Sequence, residues 1–481
     1  MSDIETSTKP ATPLQGHLAR VSEMLRRHHL VEDLAQRQSG TDQETDDDLI
    51  HRQHVEELQR EIDALHPADV ARILEALPPE DRLSVWNLVK ADRDGEILLE
   101  VSDAVRESLL ADMDAPEILA AAEQLDADEI ADLAEDLPED VVDQLMQRLD
   151  APEREQLRSA MSYEDDQVGA IMDFEMVTIR EDVSLEVVLR YLRRLKELPE
   201  QTDKLFVVNK DHVLTGVLPL KWLLVNDPAR EVSEVMAADA NTFRPEDDVF
   251  DTAQAFERYD LVSAPVVDAE GRLVGRLTID AMVDVIREEG DAEALSRVGL
   301  REDEDIFASV WRSLRNRWTW LAINLVTAFL ASRVIGLFEG SIEKLVALAA
   351  LMPIVAGIGG NSGNQTITMI VRALALGQVS PEGARRLLRK EAGVALLNGV
   401  IWGGVVGLVA WLLYGNPALG LVMTAAMTLN LLLAAAMGVV IPMTLERFGR
   451  DPAMGASVMI TAITDSGGFF IFLGLATIFL M

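Results

Sequence analysis

The chain has 481 residues and a formal charge of −38, from 81 acids against 43 bases. Residues 312–481 hold only seven of those acids and twelve of the bases, so residues 1–311 stand at −43 and the remainder at +5. An acidic first part excludes the positive surface that nucleic-acid binding needs, and the absence of cysteine excludes disulfides and thiolate metal sites.

Residues 1–48 are polar, lack the apolar core of a secretory signal, and are expected to be loosely ordered. Residues 49–164 read as all-helical. "DVARILEALPPED" (69–81) is echoed by "EIADLAEDLPED" (129–140) and more loosely by "EILAAAEQLD" (117–126). Apolar residues recur at helical spacing, proline follows the stops, and acids open the next helix. The pattern predicts an array of short helical pairs.

Residues 165–290 contain a duplication. "IMDFEMVTIREDVSL" (171–185) matches "VMAADANTFRPEDDV" (235–249), and "FVVNKDHVLTGVLPLKWLL" (206–224) matches "PVVDAEGRLVGRLTIDAMV" (265–283). Each copy reads as a strand, a helix, a hairpin with a polar turn, and another helix, giving modules at 165–228 and 229–290. Units this short cannot bury both faces alone, so the copies are expected to pack together. Residues 291–316 read as an amphipathic helix leading to the first apolar segment. Acids crowd this junction, among them Asp280, Asp284, Glu288, Glu289 and Asp291. Such carboxylates repel one another, and a divalent cation would favour a compact arrangement.

Five segments long enough to cross a bilayer follow, at 318–338, 345–376, 392–414, 419–445 and 453–480. The connections carry an orientation signal. Arg312, Arg315 and Arg317, then Arg385, Arg386, Arg389 and Lys390, then Arg447 and Arg450 fall on one side. The positive-inside rule puts the N-terminal part in the cytoplasm and the C-terminus outside. Two polar features interrupt the apolar half. "GGNSGNQT" (359–366) places glycines and amides where lipid offers no partners. Glycines alone would suit close helix packing, whereas Asn361, Asn364 and Gln365 point to oxygens lining a water-filled path. Asp465, about twelve residues into the last segment, reads either as paired to a polar neighbour or as a cation ligand. Hard oxygen ligands suit Mg²⁺ or Ca²⁺.

"PIVAGIGGNSGNQT" (353–366), "RALALG" (372–377), "RDPA" (450–453) and "TDSGGFF" (464–470) together resemble the MgtE family of Mg²⁺ channels or transporters. The resemblance implies a homodimer in the bacterial inner or plasma membrane, with five spans per subunit around one central pore. It implies that Asp465 holds hydrated Mg²⁺, with Gly360, Gly363, Asn364 and Thr461 lining the same site. It makes residues 49–164 the helical N domain and 291–316 a plug. It points to Asp92, Asp251, Asp260, Asp284 and Glu289 as regulatory Mg²⁺ ligands, although "EEGDAE" (288–293) departs from the family's usual run of acids. The duplication resembles a CBS-domain pair, in which Thr278 and Asp280 of the second copy would contact ATP. The first copy has Pro219 and Lys221 instead, and Thr278 and Asp280 are equally suited to capping the following helix.

The implied activity is Mg²⁺ import down its electrochemical gradient, closed by cytoplasmic Mg²⁺. No P-loop appears, and no nucleophile, base and orienting group converge, so the chain reads as a non-enzyme. The rivals are an exchanger coupling Mg²⁺ to Na⁺ or H⁺, a carrier of Co²⁺ or Ni²⁺, and a membrane sensor that transports nothing.

Overall fold

A computed structural model of the chain describes residues 13–38, 44–296, 300, 306–375, 381–450, 452 and 455–481. They fall into two compact units, one ending at Glu289 and one that includes residues 308–481.

The first unit opens with α1 (Pro13–Gln38) and α2 (Glu44–Asp63). The expected loose order of residues 1–48 does not extend to α1, because its Val21 and Leu25 are buried in the same core as Leu58 and Ile62. Four short helical pairs follow: α3 (Pro67–Glu75) with α4 (Pro79–Trp86), α5 (Asp94–Glu100) with α6 (Asp103–Leu110), α7 (Ala115–Ala122) with α8 (Ala127–Ala134), and α9 (Glu139–Arg148) with α10 (Ala151–Ala160).

An arginine explains how three of these pairs turn. Arg82 Nε donates to Leu74 O (3.0 Å), Arg106 Nε to Leu98 O (2.9 Å) and Arg154 Nε to Met146 O (2.6 Å). In each case the guanidinium of the second helix donates to a carbonyl in the last turn of the first, where intrahelical partners run short. The arginines fall at equal intervals with Ile130 at the vacant position, where a buried apolar side chain replaces the polar lock.

The duplicated region forms two related α+β modules. β1 (Thr178–Arg180) runs parallel to β2 (Lys204–Val208), which pairs antiparallel with β3 (Leu214–Pro219). In the second copy β4 (Ser263–Val267) pairs antiparallel with β5 (Leu273–Thr278). Its first strand survives only as a parallel bridge from Phe243 to Val266. Both hairpins shift register at the same place, Val207/Val208 and Val266/Val267. Their turns match too: Asn209 Oδ1 accepts from the Asp211 and Val213 amides, and Asp268 Oδ1 from those of Glu270 and Arg272. Each turn needs a left-handed residue, which is Gly271 (φ 78°) in one copy and His212 (φ 60°) in the other. Only the first suits that region without a Cβ penalty.

The helices complete the modules crosswise. α11 (Val168–Ile171), which opens the first copy, packs in the core of the second with α15 (Val249–Tyr259), β4 and β5. α14 (Val232–Val235), which opens the second copy, packs in the core of the first with α12 (Leu185–Leu192), β2 and α13 (Leu220–Val225). The sequence boundary near residue 228 is therefore not the physical boundary between the two cores.

The expected single helix over 291–316 is not formed. α16 (Ile279–Ser296) continues straight from β5 and ends within that span. A new helix, α17 (Val310–Gly336), begins after Ser309, whose side chain accepts from the Arg312 amide and caps it. Residues 297–299 and 301–305 lie outside the described residues.

In the second unit α17, α20 (Pro381–Tyr414), α21 (Pro417–Arg447) and α22 (Ala456–Leu480) are long and apolar enough to cross a membrane. α18 (Glu339–Lys344) is a short turn of helix. α19 (Ala347–Ala375) has 29 residues, length enough to cross, but its middle is diluted by Asn361, Ser362, Asn364 and Gln365. Among the described residues four helices are thus long and apolar enough to cross a membrane, where five apolar segments were read, and α19 is a fifth long helix with a polar middle. α21 lies innermost, and its small residues let α20 approach: a β-carbon on Gly420 would stand 2.6 Å from Gly407 O.

Candidate ion path

"GGNSGNQT" and "TDSGGFF" meet across α19 and α22. Thr464 is buried and donates to Ile460 O at 2.8 Å, back-bonded in its own helix. Asp465 follows it, half-buried, with no ion-pair partner among the described residues. An uncompensated carboxylate in an apolar bundle is costly unless a cation or water meets it. Thr461, one turn earlier, is exposed, with its hydroxyl donating to Ser457 O at 2.8 Å.

The glycines of α19 do different things. A β-carbon on Gly360 would meet Thr464 Oγ1 at 3.6 Å, an ordinary contact, so Gly360 sits beside the Asp465 turn with room to spare. Gly363 does not line open space: a side chain there would collide with Ile460. Across from it, a β-carbon on Gly438 of α21 would lie 3.2 Å from Gly363 O. For Gly363 the packing alternative accounts for the residue. Asn364 is half-buried, whereas Asn361 and Gln365 are exposed on this chain.

The sequence reading missed two polar residues of this unit. Asn430 on α21 is fully buried, and its Nδ2 donates to Val355 O at 2.9 Å. Glu391 on α20 is also buried, with Oε2 3.4 Å from Thr366 Oγ1. Lys390 Nζ stands 3.1 Å from Glu391 Oε1, within ion-pair reach but poorly aligned for a hydrogen bond. For Asn430 the available signal was an amide within an apolar run, whereas Glu391 follows the basic run at residues 385–390 and nothing local set it apart.

The regulatory candidates in the first unit do not converge. Asp92 is exposed between α4 and α5, beside Asp94, whose carboxyl is pushed up to about 6 by burial and by Glu117 and Asp92. The amide of Asp251, in the first turn of α15, donates to Asp248 Oδ1 at 2.8 Å, and Asp260 ends that helix in the left-handed region (φ 50°). Asp284 and Glu289 lie on α16, with Asp284 Oδ1 3.5 Å from Arg287 Nη1. Among the described residues no three acids or histidines are grouped to hold one metal ion. On α16 the Glu288 carboxyl is held above the usual range by burial first, then by Asp284, Asp103 and Asp132. Thr278 is buried at the end of β5 opposite Ser263, and Asp280 is exposed.

A cleft of about 400 Å³ is lined by Asp126, Asp128, Glu153 and Glu175. Asp128 Oδ1 is buried without a hydrogen-bond partner, and burial together with Asp173 pushes its carboxyl up to about 8. Asp173 is itself paired to the buried Arg276 at 2.6 Å. The unfolded chain gives up the Asp128 proton near pH 4, the folded unit only near 8. Below pH 4 both states hold it, so stability declines as pH climbs from about 4 to about 8 and then levels. Amide exchange in α8 and α11, which pack together, should therefore speed up beyond its intrinsic rate, by at most about tenfold per pH unit in that window. Asp128→Asn should flatten the dependence, and an unchanged slope in the variant would rule Asp128 out as its source.

A bundle of apolar helices holding a half-buried carboxylate with no ion-pair partner among the described residues, in one chain with a helical array and a duplicated α+β pair, is the arrangement of a membrane transporter of cations. The family model described as a divalent cation transporter matches residues 352–475, the MgtE intracellular N domain matches 65–166, and the CBS domain matches 168–221 and 232–288. The chain belongs to the MgtE family. It is similar to the magnesium transporter MgtE of Thermus thermophilus, 35% identical over 339 residues covering 69% of this chain and 74% of that one. It is 26% identical to the magnesium transporter MgtE of Bacillus subtilis over 432 residues, 90% and 96% of the two chains. Among solved structures, the cytosolic domain of the Mg²⁺ channel MgtE in complex with ATP is 30% identical, covers 50% of this chain and 97% of its own, and has a TM-score of 0.45.

Proposed function

We propose that the chain carries Mg²⁺ into the cell as a homodimeric, Mg²⁺-selective channel of the bacterial inner or plasma membrane, driven by the electrochemical gradient. The observation that carries this reading is Asp465, a carboxylate without a counter-ion among the described residues inside an apolar helix, one residue from the Thr464–Gly360 contact. Mg²⁺ dehydrates reluctantly, so one carboxylate per subunit and neighbouring oxygens from Gly360, Asn364 and Thr461 suit its hydrated form. Gly363 supports that arrangement by letting α19, α21 and α22 meet. The basic connections place the first unit in the cytoplasm and the C-terminus outside, with lipid around the apolar helices.

Cytoplasmic Mg²⁺ closes the channel by drawing acidic surfaces together. Glu288 stands within electrostatic reach of Asp103 and Asp132 of the N domain and of Asp284 on its own helix, and Asp92, Asp251, Asp260 and Glu289 add to the acidic surface. Bound Mg²⁺ favours closure only through tighter binding to the compact form. ATP binds at the second module through Thr278 and Asp280 at the end of β5, since the first offers Pro219 and Lys221.

The test is Mg²⁺ uptake by proteoliposomes with and without an imposed potential. Uptake should follow the potential and need no Na⁺ or H⁺ gradient; dependence on either gradient would make the chain an exchanger. Equal carriage of Co²⁺ or Ni²⁺ would overturn selectivity, and no uptake of any cation would leave the sensor. In the same vesicles, neutralising Asp260, Asp284 and Glu289 together should raise the Mg²⁺ level that closes the channel by about tenfold or more. Closure at the parent's level would return these acids to a solvated surface.

A further inference from the structure

Asn430 sits in a slot that two glycines make for it. A β-carbon on Gly359 would collide with its Nδ2, and one on Gly468 would stand 2.6 Å from Nδ2 and 3.2 Å from Oδ1. The side chain is fully buried, Nδ2 donates to Val355 O at 2.9 Å, and Oδ1 has no hydrogen-bond partner among the described residues. One amide of α21 thus touches the start of "GGNSGNQT" on α19 and the "SGG" turn on α22.

Packing alone does not account for it. The neighbours on α21 are leucines and alanines, and a leucine has nearly the shape of asparagine without an orphaned oxygen. A buried acceptor left unpaired costs more than its partnered half returns. The glycines at 359 and 468 admit no β-carbon, so three positions on three helices are committed to one amide. What that amide sets is the placement of α19 against α22. Gly360, next to Gly359, lies at the Thr464 hydroxyl, and Asp465 precedes Gly468 by less than one turn.

We infer that Asn430 is a positioning residue for ion selection: it fixes the spacing between the α19 oxygens and the Asp465 carboxylate, and that spacing decides which hydrated cation fits. The inference rests on the transport reading above.

The experiment measures uptake of Mg²⁺ and Ca²⁺ by proteoliposomes holding the parent, Asn430→Leu and Gly359→Ala, with thermal unfolding in detergent recorded for each. Asn430→Leu should still fold, because losing a half-satisfied amide offsets part of the crowding from its bulkier methyls, yet its preference for Mg²⁺ over Ca²⁺ should fall by about tenfold. Gly359→Ala should shift the same ratio in the same direction by displacing the amide from the other side. Where Asn430→Leu does not assemble, Gly359→Ala in an Asn430→Ser background decides between the outcomes: the smaller side chain makes room for the methyl, so the chain should fold with its ratio still altered. An unaltered ratio in folded variants, beside a parent that carries Mg²⁺, overturns the positioning role alone. A parent that carries no Mg²⁺ overturns the transport reading instead.

Discussion

Asp465→Ala is expected to abolish Mg²⁺ uptake while leaving the unfolding temperature of the chain close to the parent's. The carboxylate makes no ion pair among the described residues, so its removal takes away no partner that would then be stranded. It does take away the charge that would meet the hydration shell of a passing cation. Asp465→Asn keeps the shape and the hydrogen-bonding oxygen but drops the charge. A charge-assisted hydrogen bond is worth roughly 1.5–3 kcal/mol, so this variant should lower occupancy about tenfold to a hundredfold without abolishing it. Mg²⁺ uptake by Asp465→Ala at the parent's rate would remove this residue from the path.

Gly363→Val is expected to lose uptake for a different reason, through the fold. A β-carbon at this position runs into Ile460 of α22, and the Gly363 carbonyl already lies against Gly438 of α21. Overpacking of this kind costs about 1–3 kcal/mol, so the unfolding temperature and the yield of assembled protein should both drop. Gly360→Ala makes the contrast, since its methyl meets only an ordinary contact at 3.6 Å from Thr464 Oγ1. It should fold as the parent does, with any change in uptake arising at the path itself. A Gly363→Val protein as stable as the parent would show that α19 can move away from α22, and would return Gly363 to the lining.

Much of this was legible along the chain because the signals are local or periodic. The duplication of residues 165–290 shows in matched strings, and the structure repeats it down to the Asn209 and Asp268 turns. The helical pairs show in apolar spacing and in proline after each stop. An acid deep in an apolar segment marks Asp465 without any coordinates, because solvation penalties make such residues rare. Helix N-caps were less visible: Ser309 ends the expected connecting helix, yet nothing distinguishes it in sequence from any other serine.

What the sequence by itself determined is the order of the modules, the apolar segments and the presence of an acid, Asp465, deep in the last of them. These follow from composition and period, which each segment carries within itself. Which glycine serves packing and which leaves space, which copy of the duplication receives α11 and which α14, and that Asn430 ties α19 to α22, were decided only by tertiary structure. Each depends on how one helix is rotated and placed against another, and that is set by side chains distant in the chain: Ile460 for Gly363, Thr464 for Gly360, and Gly359 with Gly468 for Asn430.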